Sequence, residues 1–296
     1  MEYEKRKEWR GTIEMAVAML VSGSIGLFVV KSGQAPENVV FFRCAIACVC
    51  VLPICLFHGR KCRESMTSRK LAWMVVSGLF VVFNWIFLFN AFSMLSISLA
   101  TIVYHVNPFI ILLAGAFVFR EKIALSDGVW TVLAFIGLLT IVGFGDARLA
   151  LQEFAGIGLV LLATSLYSGS VLIAKKLSGI PPLFIVFVQT LAGALATFPI
   201  TSITTMHPDV QQWQFIVALG VVHTAFLYWL IYSAISKIGL GTVAILTFLY
   251  PVSTVVIDYL FFDHVISIGQ SIGAMLILVS AVGVKLHWRM PWSPWR

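Results

Sequence analysis

Tyr104, His105, Asn107 and Pro108 stand together in a stretch with no Lys, Arg, Asp or Glu from Leu95 to Phe119. His105 can take up and release a proton near neutral pH. Tyr104 and Asn107 can hydrogen-bond a polar group. Pro108 has no N–H to donate and leaves the carbonyl of Tyr104 without its helical partner. In an apolar run of this length, such groups must find water, a neighbouring side chain or a ligand. Two readings follow: the segment lines a wet cavity, or it is a kink bonded to neighbouring helices. Tyr250 and Pro251 repeat the arrangement.

Other polar side chains sit at similar depth. Asn84 and Trp85 lie in an apolar run, with Phe89 one turn on from Trp85. Thr224, Tyr228 and Tyr232 share one helical face, beside His223. Buried Tyr hydroxyls need partners, so a cavity wall competes with plain packing. Arg43 and Asp258 lie at matching depths near the outer ends of two runs, and an unpaired charge there is costly. They are expected to form an ion pair, structural or gating. Cys44, Cys48, Cys50, Cys55 and Cys62 show neither CxxC nor metal-ligand spacing. No metal site and no cofactor are expected. The chain has no Walker A, HExxH or GxSxG motif. An enzyme built on His105 and His223, or a lipid-processing protein, remains the alternative to a solute-binding role.

The elements that carry these residues follow from composition. Of 296 residues, 60% are hydrophobic and 11% charged, and mean hydropathy is +0.98. Soluble domains hold about 25% charged residues, so lipid must be the solvent. Ten apolar segments approach the ~20 residues a crossing helix needs: 12–30, 38–57, 71–90, 95–119, 128–145, 156–174, 183–201, 214–235, 240–262 and 269–287. With the N-terminus cytoplasmic, all of the 20 Lys and Arg except Lys31, Arg148 and Arg43 fall on the inner side or its loops. The net charge of +7 therefore reads as positive-inside topology, not as nucleic-acid binding. Both termini are expected in the cytoplasm, in an inner or plasma membrane. The charged start MEYEKRKEWR and the absence of a small-residue cleavage site point to an uncleaved first helix.

The two halves repeat. AFSMLSISLATIVYHVNPF (91–109) matches AISKIGLGTVAILTFLYPV (234–252), pairing Ala91 with Ala234 and Pro108 with Pro251. GLFVVFNWIFLFNAF (78–92) matches GVVHTAFLYWLIYSAI (220–235), and Arg43 falls close to Gln189 in the same comparison. Five spans per half turn the second half upside down, an arrangement found in transporters. The expected fold is an all-α integral membrane protein of ten transmembrane helices, two inverted five-helix repeats around a central cavity. The division falls at 1–145 and 146–296.

Ala91, Pro108 and Glu121 in the first half, and Ala234, Pro251 and Asp263 in the second, resemble the pattern of EamA-type domains of the drug/metabolite transporter superfamily. Asp263 stands where that pattern has Glu. The resemblance covers nearly the whole chain. It implies a secondary transporter of a small organic solute, often exported, working by alternating access. Amino acids or related compounds come first, then cationic metabolites or drugs, then nucleotide sugars. The expected lining is Asn84, Trp85, Tyr104, His105, Asn107, Gln189, Tyr228 and Tyr250. Small multidrug resistance relatives bind protons on a deep first-helix Glu; Glu14 lies shallower, and His105 is an equal candidate for proton coupling. The expected partners are a small-molecule substrate and membrane lipids, with the fifth and tenth spans outermost and the protein a monomer or homodimer.

Overall fold

The computed structural model describes residues 2–64, 66–92, 94–95, 97–120, 125–142, 151–202, 208–262, 267–286 and 288. Among them the chain is helical and contains no strand. The first half comprises α1 (Glu2–Ser22), α2 (Ile25–Ser32), α3 (Pro36–Glu64), α4 (Ser68–Ala91), α5 (Ile97–Tyr104), α6 (Asn107–Phe119) and α7 (Leu125–Val142). The second comprises α8 (Leu151–Lys176), α9 (Pro182–Thr197), α10 (Val210–Gly220), α11 (Leu227–Ile235), α12 (Leu240–Leu246), α13 (Leu249–Phe262) and α14 (Ile268–Lys285). Local chemistry sets several starts. Thr67 caps α4 by accepting from the Lys70 N–H, and Asp209 with Gln212, and Ser267 with Gln270, form capping boxes on α10 and α14.

Among the described residues, nine helical segments are long and apolar enough to cross a membrane, and the apolar helix Ile268–Val284 is shorter. Three spans are broken pairs: α1 and α2 at Gly23–Ser24, α5 and α6 at His105–Val106, α12 and α13 at Thr247–Phe248. In the eighth span, α10 and α11 are joined by a π-helical turn, Val221–Phe226. Large apolar side chains such as Phe57 and Phe117, both 88% exposed, face outward. In water such a surface would aggregate; in lipid it is the expected coat.

The main packing runs between the halves, not within them. α3 lies on α9, α4 on α8, α1 on α11 and α7 on α14. Small residues allow these approaches. A Cβ on Gly78 would stand 2.7 Å from Gln189 Cα, and one on Gly137 would stand 2.7 Å from the Gly273 carbonyl oxygen. The fifth and tenth spans, α7 and α14, thus use their glycine faces on each other.

The repeat is visible in these contacts. Gly11 on α1 abuts Lys237 and Ile238, in the turn after α11; a Cβ there would stand 2.7 Å from Lys237 Cβ. Gly156 on α8 abuts Leu95 and Met94, in the turn after α4, with a Cβ 2.6 Å from Leu95 Cγ. Gly11 and Gly156 are shifted by 145, as are Lys31 and Lys176 and Pro36 and Pro181, and Leu95 and Ile238 by 143, as are Pro108 and Pro251. Because the halves are inverted, the two contacts close opposite ends of the bundle.

Gly273→Ala should drive a methyl into the Gly137 carbonyl and cost about 1–3 kcal/mol, lowering the melting temperature in detergent. Gly128→Ala, where nothing lies within 4 Å, should be neutral or slightly stabilising. Scanning fluorimetry of the two variants checks the contrast.

Candidate functional site

The breaks place the polar residues. At the break in the fourth span, the Tyr104 carbonyl accepts from Thr164 Oγ1 on α8, and Ser168, one turn on, points at the Asn107 carbonyl at 3.5 Å. Tyr104 and Asn84 share hydrogen bonds through the Tyr hydroxyl and the amide, at 3.2 and 3.4 Å. Asn84 also donates to the Ala163 carbonyl at 2.7 Å. At the break in the first span, Ser253 on α13 donates to the Leu20 carbonyl. A buried hydroxyl on a helix of the other half thus completes each of these two breaks. These contacts are those of the kink reading of YHVNPF, bonded to neighbouring helices.

His105 is 3% exposed. Its Nδ1 lies 2.8 Å from the Thr101 carbonyl oxygen, which can only accept, so Nδ1 carries the hydrogen. That leaves Nε2 as a lone pair. The ring lies 5.7 Å from both Phe248 and Tyr250, stacked on the latter. Phe248 is the repeat partner of His105, shifted by 143.

A second cluster surrounds a small cavity between α3, α4, α9 and the eighth span. Its lining includes Cys44, Gly78, Trp85, Gln189, Thr190, Thr224 and Tyr228. The cavity holds about 10 Å³, barely what one water needs. Trp85 meets its repeat partner Tyr228 edge-on at 5.7 Å. Tyr232 donates to Gln189 Oε1 at 2.6 Å, and Gln189 Nε2 donates to Ser77 at 2.8 Å. Arg43, 1% exposed, lies behind this lining, against Thr224 and Trp85. Its Nε donates to Thr224 Oγ1 at 3.1 Å and its Nη2 to the His223 carbonyl at 3.2 Å. Its guanidinium carbon lies 3.9 Å over the Trp85 ring, within cation–π range.

Of the residues expected at a lining, Trp85, Gln189 and Tyr228 line this cavity. Asn84, Tyr104, His105, Asn107 and Tyr250 gather instead at the break in the fourth span, joined to the cavity through Asn84 and Trp85 on α4. The Asp258 side chain lies outside the described residues, and so does its expected pairing with Arg43. Glu14 is 9% exposed and is held by Lys237 Nζ, 2.6 Å from Oε1, and by Arg10 Nε at 3.1 Å. Lys237 also donates to Ser233 at 2.6 Å. Lys175 donates to the Ile235 and Ile238 carbonyls of the same turn, at 3.3 and 2.7 Å. At the other end of the first span, Ser24 Oγ lies 2.7 Å from His223 Nε2.

Sequence reasoning did not find the Lys237 bond to Glu14, the Thr164 and Ser253 hydroxyls on the freed carbonyls, or Arg43 over Trp85. One signal for the π-helical turn was present. GVVHTAFLYWLIYSAI is one residue longer than its counterpart, so the repeat shift changes from 142 at Gly78 and Gly220 to 143 at Ala91 and Ala234. The surplus residue is absorbed as the wide turn, where Thr224 Oγ1 and His223 Nδ1 reach back five residues to carbonyls.

The sequence profile of the EamA-like transporter family matches residues 9–143 and again 154–286. This chain belongs to that family. Two relatives from Bacillus subtilis are described as uncharacterized transporters. YxxF is 29% identical over 269 residues, covering 90% of this chain and 86% of its own. YetK is 26% identical over 298 residues, covering 93% and 88%. A solved protein crystal structure superimposes with a TM-score of 0.82 over 94% of this chain and 96% of its own, at 17% identity, a likeness of fold. This EamA-like protein is therefore an all-helical, multi-pass membrane protein with two repeated halves.

Thr164→Val should leave the Tyr104 carbonyl buried without a donor and cost about 1–3 kcal/mol. Thr164→Ser, which keeps the hydroxyl, should recover most of it. Thermal unfolding of both variants in detergent reads the difference; equal loss in both would remove the hydrogen bond from the account.

Proposed function

We propose that this protein is a secondary transporter that moves a small organic metabolite across the plasma or inner membrane by alternating access. Amino acids and related compounds are the first solute class to test, cationic metabolites the second, and export the first direction. One observation carries the reading. The two repeat-related contacts, Gly11 on Ile238 and Gly156 on Leu95, lie at opposite ends of one bundle, with the small cavity among its helices, which supports reading them as two seals. Inverted halves can exchange conformations, opening one seal while the other stays shut. The cavity of about 10 Å³ is smaller than any metabolite, so a solute enters only as a seal opens. Both termini are placed in the cytoplasm on the charge pattern, which puts the Glu14–Lys237 seal on the inner face. Lipid surrounds the protein, which acts as a monomer or homodimer. His105 is the favoured proton carrier, because its Nε2 faces no described hydrogen-bond partner while Glu14 is held by two cations.

Counterflow of radiolabelled amino acids and organic cations in proteoliposomes tests the reading. Accumulation in wild type, lost in Trp85→Ala, is the expected result. Chemical conversion of the solute without counterflow would support the enzyme alternative.

The seals differ in chemistry. The inner one has the Glu14–Lys237 ion pair; the repeat positions on the outer side are Leu159 and Met94. Lys237→Gln should therefore loosen the inner seal alone. Hydrogen–deuterium exchange should rise several-fold across 234–241 and stay unchanged across 91–97.

A further inference from the structure

We propose that Arg43 receives a carboxylate of the transported solute, which makes that solute an acid or a zwitterion rather than a simple cation. The inference rests on the transport reading of the same cavity and narrows it.

A guanidinium carries five N–H groups in a flat fork. On Arg43 the described bonds use Nε, toward Thr224, and Nη2, toward the His223 carbonyl. Nη1 is buried and has no hydrogen-bond partner among the described residues. Both partners in use are neutral, so among the described residues hydrogen bonding orients the fork without cancelling its charge. The Trp85 ring covers one face of the guanidinium, which screens it from solvent but supplies no anion. A buried charge left this way is unfavourable, and a carboxylate at Nη1 is the group whose planar geometry fits it.

The surroundings choose among anions. Among the described residues, Arg43 is the only buried Lys or Arg, so one positive charge matches one carboxylate. A dianionic phosphate would bring an unmatched charge into the centre of the bundle. A solute bearing only an ammonium would be repelled. The neighbouring walls, Val81, Val82, Trp85, Val186 and Tyr228, suit an apolar or aromatic body attached to the carboxylate. Backbone geometry supports a built receptor. The wide turn Val221–Phe226 turns the His223 carbonyl and the Thr224 hydroxyl toward α3, and Gly220 packs against Ile46 and approaches the Arg43 carbonyl, with a Cβ at 3.5 Å.

Three probes of matched size test this on the full-length protein in nanodiscs: 3-phenylpropionate, 3-phenylpropanamide and phenethylammonium. Binding is read from concentration-dependent thermal shifts. The carboxylate should bind at least tenfold more tightly than the amide or the ammonium. Arg43→Gln should erase that preference, and Arg43→Lys should keep part of it, because a point charge remains without the fork. If Arg43→Gln fails to fold, the preference in wild type and its reduction in Arg43→Lys decide the matter. Equal responses to carboxylate and amide, including no response to either, overturn the proposal, as does a preference for the ammonium. Counterflow of labelled 3-phenylpropionate separates the two claims. Carboxylate-selective, Arg43-dependent binding without counterflow sinks the transport reading and leaves the anion site standing. Counterflow of the amide or the ammonium, equal in wild type and Arg43→Gln, keeps transport and removes the role of Arg43.

Discussion

The structure depends on one constraint: in hydrocarbon, every backbone carbonyl and N–H must find its partner inside the protein. A continuous helix meets it unaided. A broken helix meets it only if a neighbour supplies donors at the break. Thr164 does so for Tyr104 and Ser253 does so for Leu20. Both donors come from the half opposite the break they complete. The breaks therefore tie the halves together, and they also gather polar groups in the middle of the bundle, where a solute would have to pass.

Symmetry then explains much of the arrangement. Trp85 meets Tyr228 and His105 meets Phe248, each residue facing its repeat partner as positions near a two-fold axis do. α3 lies on α9, and α7 on α14, for the same reason. Function enters where the symmetry fails. Lys237 and Glu14 have Met94 and Leu159 as counterparts, and Arg43 has its counterpart near Gln189. One end of the bundle is thus held by charge and the other by apolar packing, and a cation stands behind one wall of the cavity where the repeat-related wall carries an amide.

The fold was legible in the sequence because its signals are local or periodic. Apolar length gave the spans, and the aligned Ala91–Pro108 and Ala234–Pro251 segments gave the repeat. Pro108 and Pro251 marked two of the three broken spans. The break at Gly23–Ser24 carries no proline, and Gly and Ser serve close helix contact as readily as a break, so the sequence does not single it out. The site was legible in part. Polar residue types at depth could be picked out, but their partners could not: Glu14 and Lys237 are separated by 223 positions and Arg43 and Thr224 by 181. Such pairs form because packing runs between the halves, and no spacing along one helix reports it. Hence the sequence could not show that Asn84, Tyr104, His105, Asn107 and Tyr250 gather at the break while Trp85, Gln189 and Tyr228 line the small cavity.

The π-helical turn in the eighth span has a mechanical consequence. A helix with one residue too many can hand the excess to the next turn without unwinding, because each bond lost behind the bulge is remade ahead of it. Each such step turns the segment between the old and new positions by about 100° about its own axis. Passing the bulge from Val221–Phe226 toward α11 would rotate Tyr228 away from Trp85 while α10 stays seated against α2 and α3. The eighth span thus contains a built-in swivel beside Arg43, able to re-aim an aromatic wall with little translation of the helix through the lipid.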